Sequence, residues 1–353
     1  MDAQGGRFRR YTGRNMRRFL FVFTTFALLA SAQPGPYKVL KTAKAGGAGG
    51  FDYVYADEAG RKLYVARSGP SARISVFNLD TLEPAGEIPG VSAHGVVVSA
   101  QSNHGFASSK PVVMFDSKTL AVIKKIDVEG GPDGMLYDAF NDRVYVLSHR
   151  APNATVINAA DGSVVGTIDL GGAPEQAVSD GKGRLYVDIE DKGNIAVVDA
   201  KTLTVTAHYD LEGKGGVCAG LAMDVKNNIL FATCRNPQNM VILNAADGKI
   251  LDALPIGAGT DGAVFNPKTR EAFSSQGDGT LTVIQEKSAS SYVVEQNLET
   301  MKSAKTLTLD AKTGRILLIA ADFAAPSSPP PAGGRPARGQ MVPDSFSILL
   351  VGK

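Results

Sequence analysis

Six residues between positions 52 and 305 share one register of the chain: Asp52, His94, Asp133, Glu175, Asp261 and Lys305. Each stands five residues before a turn-forming position, namely Asp57, Ser99, Asp138, Asp180, Asn266 and Asp310, and the seventh member of the series is Ala219. Carboxylates brought to one mouth repel each other unless a cation, a lysine or protonation relieves them. Asp52, Asp133, Glu175 and Asp261 would suit an oxygen-seeking ion such as Ca²⁺ or Mg²⁺, or a transition metal if His94 joined them. The competing reading is hydration, with the acids holding ordered water and capping nearby loops. A second group, Arg67, Lys110, His149, Arg150, Asp191, Arg235 and Asp278, falls in loops expected at the same mouth. Mixed charge of that kind fits recognition of a small polar molecule.

These side chains can meet only if the chain repeats. The pentapeptide NAADG occurs at 158–162 and again at 244–248, each time after a Val/Ile-rich run. Self-similarity at a fixed period marks a repeat architecture. The landmarks Asn78, Asp116, Asn158, Asp199, Asn244 and Gln285 end successive runs at spacings of 38, 42, 41, 45 and 41 residues. Within the unit around Asn158 the runs GMLYD, RVYVLS, ATVIN and SVVGTIDL are separated by turn residues. Short β-branched and aromatic runs bounded by Gly, Asp and Asn read as strands, and no helical period interrupts them. Four strands per unit of about 40 residues is one propeller blade.

The fold expected is therefore all-β: a seven-bladed propeller of four-stranded antiparallel blades. The last unit, ending in SILLVGK (347–353), supplies three strands, and YKVLKTAKAGG (37–47) matches a fourth-strand pattern. The N-terminal strand is expected to complete the last blade and so hide an open edge. The stretch 324–344 is rich in Pro and Gly and reads as a flexible insertion in that blade.

Residues 1–32 stand apart. Arg17-Arg18, the apolar run FLFVFTTFALLA and Ala30-Ser31-Ala32 describe a general secretory signal cleaved before Gln33. Met16 opens a more ordinary signal than Met1 does. The signal carries six arginines against one aspartate, so its removal takes the formal charge from +2 to −3. That argues against nucleic-acid steering. The mature chain, 33–353, is expected to be a single periplasmic or extracellular domain and a monomer.

Cys218 begins one strand and Cys234 ends the next. Antiparallel pairing puts those ends side by side, and export favours a disulfide there. The recurring Asp57, Asp138, Asp180, Asp224, Asn266 and Asp310 read as turn caps, and NAADG as a blade turn rather than a phosphate loop.

The second-strand motifs Leu63-Tyr64-Val65, Val144-Tyr145-Val146 and Leu185-Tyr186-Val187, each after an Asp-led turn, resemble the YVTN-repeat, YncE-like propellers over residues 37–353. That resemblance implies a non-enzymatic exported propeller binding a small polar ligand or a protein partner. A metal-dependent hydrolase of the lactonase type, using the carboxylate ring, is the first alternative. An accessory of a periplasmic redox system is the second, although no C-x-x-C-H haem motif is present. No nucleophile elbow or phosphate cradle is found either, so a binding module is favoured over an enzyme.

Overall fold

The structure is a computed structural model that describes Met1, residues 35–326 and residues 339–353. The signal-peptide reading and the centre of the Pro/Gly-rich insertion lie outside the described residues. Seven four-stranded antiparallel sheets make up the described chain. Their innermost strands are Gly50–Asp57, Val96–Val98, Pro132–Asp138, Pro174–Ser179, Cys218–Asp224, Thr260–Asn266 and Leu307–Asp310. Each inner strand touches its neighbours on both sides, and Gly50–Asp57 touches Leu307–Asp310, so the ring closes. This is the seven-bladed propeller that the 40-residue period predicts.

The apolar core is seven layers, each between adjacent blades. Alternation along a strand explains this, because successive side chains face opposite sides of the sheet. In blade one, Leu63 and Val65 pack against Leu317 and Ile348 of blade seven. Tyr64 and Ala66, from the same strand, pack against Val96 and Phe115 of blade two. Burying each such large side chain stabilises by roughly 1.5–3 kcal/mol.

Closure works as the sequence predicts. Lys38–Lys44 runs antiparallel to Ser347–Gly352, pairing Lys38 with Gly352 and Lys44 with Ser347. Tyr37 anchors the entry: its N–H donates to Gln296 Oε1 at 2.9 Å, and its hydroxyl donates to Glu271. The six turn caps are also in place. Examples are Asp57 Oδ1 accepting from Gly60 N at 2.9 Å and Asp224 Oδ1 accepting from Lys226 N at 2.9 Å. Gly162 and Gly248 of the two NAADG turns sit at φ 68° and 75°. At the insertion, Ala324 N donates to Gln340 O at 2.8 Å and Val342 N to Asp322 O at 2.8 Å, so its described ends form a short stem. Among the described residues, no helix is long and apolar enough to cross a membrane.

Candidate functional site

A repeated irregularity builds the mouth. In five blades the ladder between first and second strands slips, between Phe51 and Val54, Pro132 and Met135, Pro174 and Ala177, Cys218 and Gly220, and Thr260 and Gly262. Asp52, Asp133, Glu175, Ala219 and Asp261 occupy those slips. A bulge releases a residue from the ladder and re-aims its side chain. Here it turns the first-strand register toward the axis. His94 and Lys305 hold the same place just before the inner strands of blades two and seven.

A second register meets it from above. The residues that leave the second strands are Ser68, Lys110, His149, Glu190, Arg235, Gly277 and Ala321. Three of them, His149, Glu190 and Arg235, reach the mouth. Together with Asp52, Asp133, Arg150, Glu175, Asp261 and Lys305 they line a cavity of ≈ 500 Å³. Tyr53 and Glu175 also line a deeper space of ≈ 220 Å³, so they form the floor between the two. Gln176 braces this level from blade four. Its Oε1 accepts from Leu221 N and Ala263 N at 3.1 Å, and its Nε2 donates to Ala263 O at 3.1 Å.

Charges alternate around the mouth and the circuit closes. His94 Nδ1 lies 2.8 Å from Asp52 and 3.6 Å from Asp133. His149 Nδ1 is 3.8 Å from Asp133, while its Nε2 is 3.3 Å from Glu175 Oε1 and 3.4 Å from Glu190 Oε2. Arg235 Nη1 holds Glu190 Oε1 at 2.6 Å, and Nη2 pairs with Asp261. Lys305 bridges Asp261 and Asp52, at 3.1 Å from the latter. Arg150 lines the cavity and forms no ion pair among the described residues.

The protonation of these groups follows from their neighbours. Burial pushes Glu175 up to about 9, with Asp261, Glu190 and Asp133 adding to the effect. Burial also raises Asp133, against the pull of His94 and His149. Asp52 is buried too, yet His94 and Lys305 overcome that and hold it below the ordinary carboxylate value. The hydrogen bond to Asp52 raises His94, against burial. Two residues before Glu190, Asp188 is wholly buried, and neither of its oxygens has a hydrogen-bond partner among the described residues. Burial, with Glu175 adding to it, pushes that carboxyl well above its ordinary value.

Two expectations need correction. Arg67 is not in the mouth. It precedes the exit register by one residue and shares the parity of Leu63 and Val65, so alternation buries it in the layer between blades seven and one, 1% exposed. There it stacks 3.8 Å from the Phe346 ring centroid and donates to the carbonyls of Gly46, Gly47, Ala48, Gly49 and Gly50. The four acids, moreover, do not share one ion. Lys305 neutralises Asp52 and Asp261, and the groups close enough for a common ion are Asp52–His94–Asp133 and His149–Glu175–Glu190. Lys110, Asp191 and Asp278 bond locally, to Gly130 O, Ala173 N and Thr280 N respectively. Glu190 is the residue that sequence reasoning missed; its register with His149 and Arg235 was the available signal. The disulfide Cys218–Cys234 is formed, across the register pair of the same name.

The fold and this mouth define a seven-bladed β-propeller with a charged, floored funnel. No protein-family model matches the chain, and no curated protein does. Among solved structures it is similar to a propeller in the crystal structure of a mitotic checkpoint complex, at 11% identity and TM-score 0.68, covering 86% of this chain and 95% of that one. It is also similar to the WD40 repeats of RRP9, at 11% identity and TM-score 0.69, covering 91% and 100%. At such identity the likeness shows the fold alone, and function must be argued from the site.

Proposed function

We propose that the protein is an exported binding propeller, of the YVTN-repeat, YncE-like kind its motifs resemble, whose funnel captures a small cationic ligand. One observation carries this reading: five carboxyl groups line the mouth with three permanent cations, and burial together with the neighbouring acids pushes one of them, Glu175, up to about 9. Two of those cations are already shared, Lys305 between Asp52 and Asp261, and Arg235 between Glu190 and Asp261. Asp133 and Glu175 pair with neither Lys305 nor Arg235: their close contacts are the histidines and, at 3.3 Å from Glu175 Oε2, the Tyr53 hydroxyl, while Arg235 offsets Glu175 only through space. A ligand bearing positive charge relieves that repulsion where a neutral or anionic one does not. Export is supported by the signal-like segment before Gln33 and by the buried disulfide.

The lactonase-type reading has less behind it, because two of the acids it would use already hold Lys305. A protein partner has one observation in its favour. Val122 and Ile123 on the outer strand of blade two, and Val164 and Val165 on that of blade three, are exposed by 42–49%. The two blades meet beside them, where Lys124 Nζ donates to Asp161 O in the turn that leads into the outer strand of blade three, at 2.8 Å. The propeller in the mitotic checkpoint complex belongs to an assembly, and an apolar strip of this kind is where this chain would join one.

The test is a melting-temperature panel in chelator with putrescine and spermidine against citrate and phosphate. The amines should raise the melting temperature of the wild type and leave an Asp133→Asn/Glu175→Gln variant unmoved. Stabilisation by the anions, with none by the amines, would overturn the reading.

A further inference from the structure

We infer that His149, Glu175 and Glu190 form a three-ligand site for a divalent transition-metal ion of the Zn²⁺ class. The inference rests on the cation-binding reading of the mouth and names the ion that the mouth takes. Three residues converge: His149, Glu175 and Glu190 each offer one donor atom within 4.8 Å of the other two. His149 Nε2 stands 3.3 Å from Glu175 Oε1 and 3.4 Å from Glu190 Oε2. A tetrahedron with metal–ligand bonds of about 2.0–2.1 Å has edges of about 3.3–3.4 Å. The two separations are those edges.

An independent observation points the same way. His149 Nε2 is a buried atom, and it makes no hydrogen bond with either carboxylate it faces. Glu175, its side chain nine-tenths buried, aims Oε1 at that nitrogen and likewise makes no hydrogen bond through it. Buried polar atoms are nearly always satisfied, so the orphaned Nε2, facing a carboxylate oxygen on each of two residues, calls for a partner that the protein does not supply. Water could serve a nitrogen and two oxygens, but an ion satisfies all three lone pairs and cancels charge as well.

The surrounding groups hold each ligand by its other atom. Arg235 Nη1 takes Glu190 Oε1 at 2.6 Å, leaving Oε2 for the ion. The Tyr53 hydroxyl donates to Glu175 Oε2 at 3.3 Å, leaving Oε1. Asp133 Oδ2 stands 3.8 Å from His149 Nδ1, on the side where ligating histidines commonly meet a carboxylate. One imidazole among the donors favours Zn²⁺ and its neighbours over Ca²⁺, which prefers six to eight oxygens. Three protein ligands facing a ≈ 500 Å³ cavity leave a fourth position open to water or to a ligand arriving through the funnel.

The experiment is calorimetric titration of the untagged, chelator-stripped mature chain with Zn²⁺ and, separately, with Ca²⁺. One Zn²⁺ per chain should bind, and Ca²⁺ at least about 10-fold more weakly. His149→Ala and Glu190→Gln should abolish binding, and Tyr53→Phe, which only positions Glu175, should weaken it about 10-fold. His208→Ala, on an exposed outer strand, should leave it unchanged, and circular dichroism separates lost folding from lost ligands. Absence of Zn²⁺ binding, equal binding of Ca²⁺, or full binding by folded His149→Ala would each overturn the inference. If Zn²⁺ fails while spermidine still stabilises the wild type, the metal site falls and the cationic funnel stands. If both fail, both fall.

Discussion

His149 Nε2 faces Glu175 Oε1 across 3.3 Å without a hydrogen bond between them. The burial of Glu175 opposes its ionisation, and the charges of Asp261, Glu190 and Asp133 on the same wall add to the effect. Such a constellation stabilises a ligand at the expense of the fold. In the presence of chelator, Glu175→Gln should therefore be more stable than the wild type, by about 1–2 kcal/mol in urea unfolding. The same variant should lose the response to added cations. A Gln variant less stable than wild type in chelator would show that the carboxyl serves the fold.

Arg67 should behave in the opposite way. Its guanidinium ties five successive carbonyls, Gly46 to Gly50, between the N-terminal strand and blade one. Arg67→Met leaves those acceptors to find other partners and should cost about 2–4 kcal/mol in urea unfolding. Binding at the mouth should be unchanged in the folded fraction. Weakened cation binding with intact stability would place Arg67 back in the funnel.

Acid should loosen the seam between blades seven and one. Arg61 holds Asp310 by two bonds, Nη1 to Oδ1 at 2.9 Å and Nη2 to Oδ2 at 2.8 Å. Burial works against the Asp310 carboxylate, but Arg61 and Thr313 hold it below its ordinary value of 3.8. A depressed carboxyl contributes stability above its unfolded value and loses it as pH falls through its folded one. Asp310→Asn should thus be less stable than wild type by about 1–3 kcal/mol at pH 7. The difference should shrink below pH 3.8 as the wild-type carboxyl takes up its proton. Unfolding curves at pH 7 and in acid measure both arms; a constant difference would contradict the linkage.

The disulfide closes a separation of 16 residues inside the layer between blades four and five. By loop-closure entropy its removal in a Cys218→Ala/Cys234→Ala variant should cost about 3 kcal/mol. Thermal unfolding with and without reductant would register it, and the wild type under reduction should match the variant. Cys218 pairs with Cys234 at the bulge that carries Ala219, so the cation affinity should change little.

The sequence showed which residues form the inner ring because that ring is periodic. Counting five back from a turn residue finds Asp52, Asp133, Glu175 and Asp261 without knowledge of the bulge that turns them inward. The outer contributors were harder to see. Arg67 and Asp191 stand one residue to either side of the exit register, and strand alternation turns a one-residue error into the opposite face. Glu190 was passed over for Asp191 by that single step. Pairing was invisible as well: sequence spacing does not tell that Lys305 sits between Asp52 and Asp261, that Arg235 also holds Asp261, or that the residues close enough for a common ion are the two histidine-bearing triads. The blades, the turn caps and the closing strand rest on local pattern, and those were legible throughout.

Native mass spectrometry of untagged chain 33–353, purified without chelator, tests the funnel most directly. The expected spectrum holds one cation per chain in the wild type and none in a folded His149→Ala/Glu190→Gln variant. A wild type that stays at its bare mass when offered Zn²⁺ and spermidine, or a variant that keeps the adduct, would contradict a cation-binding mouth.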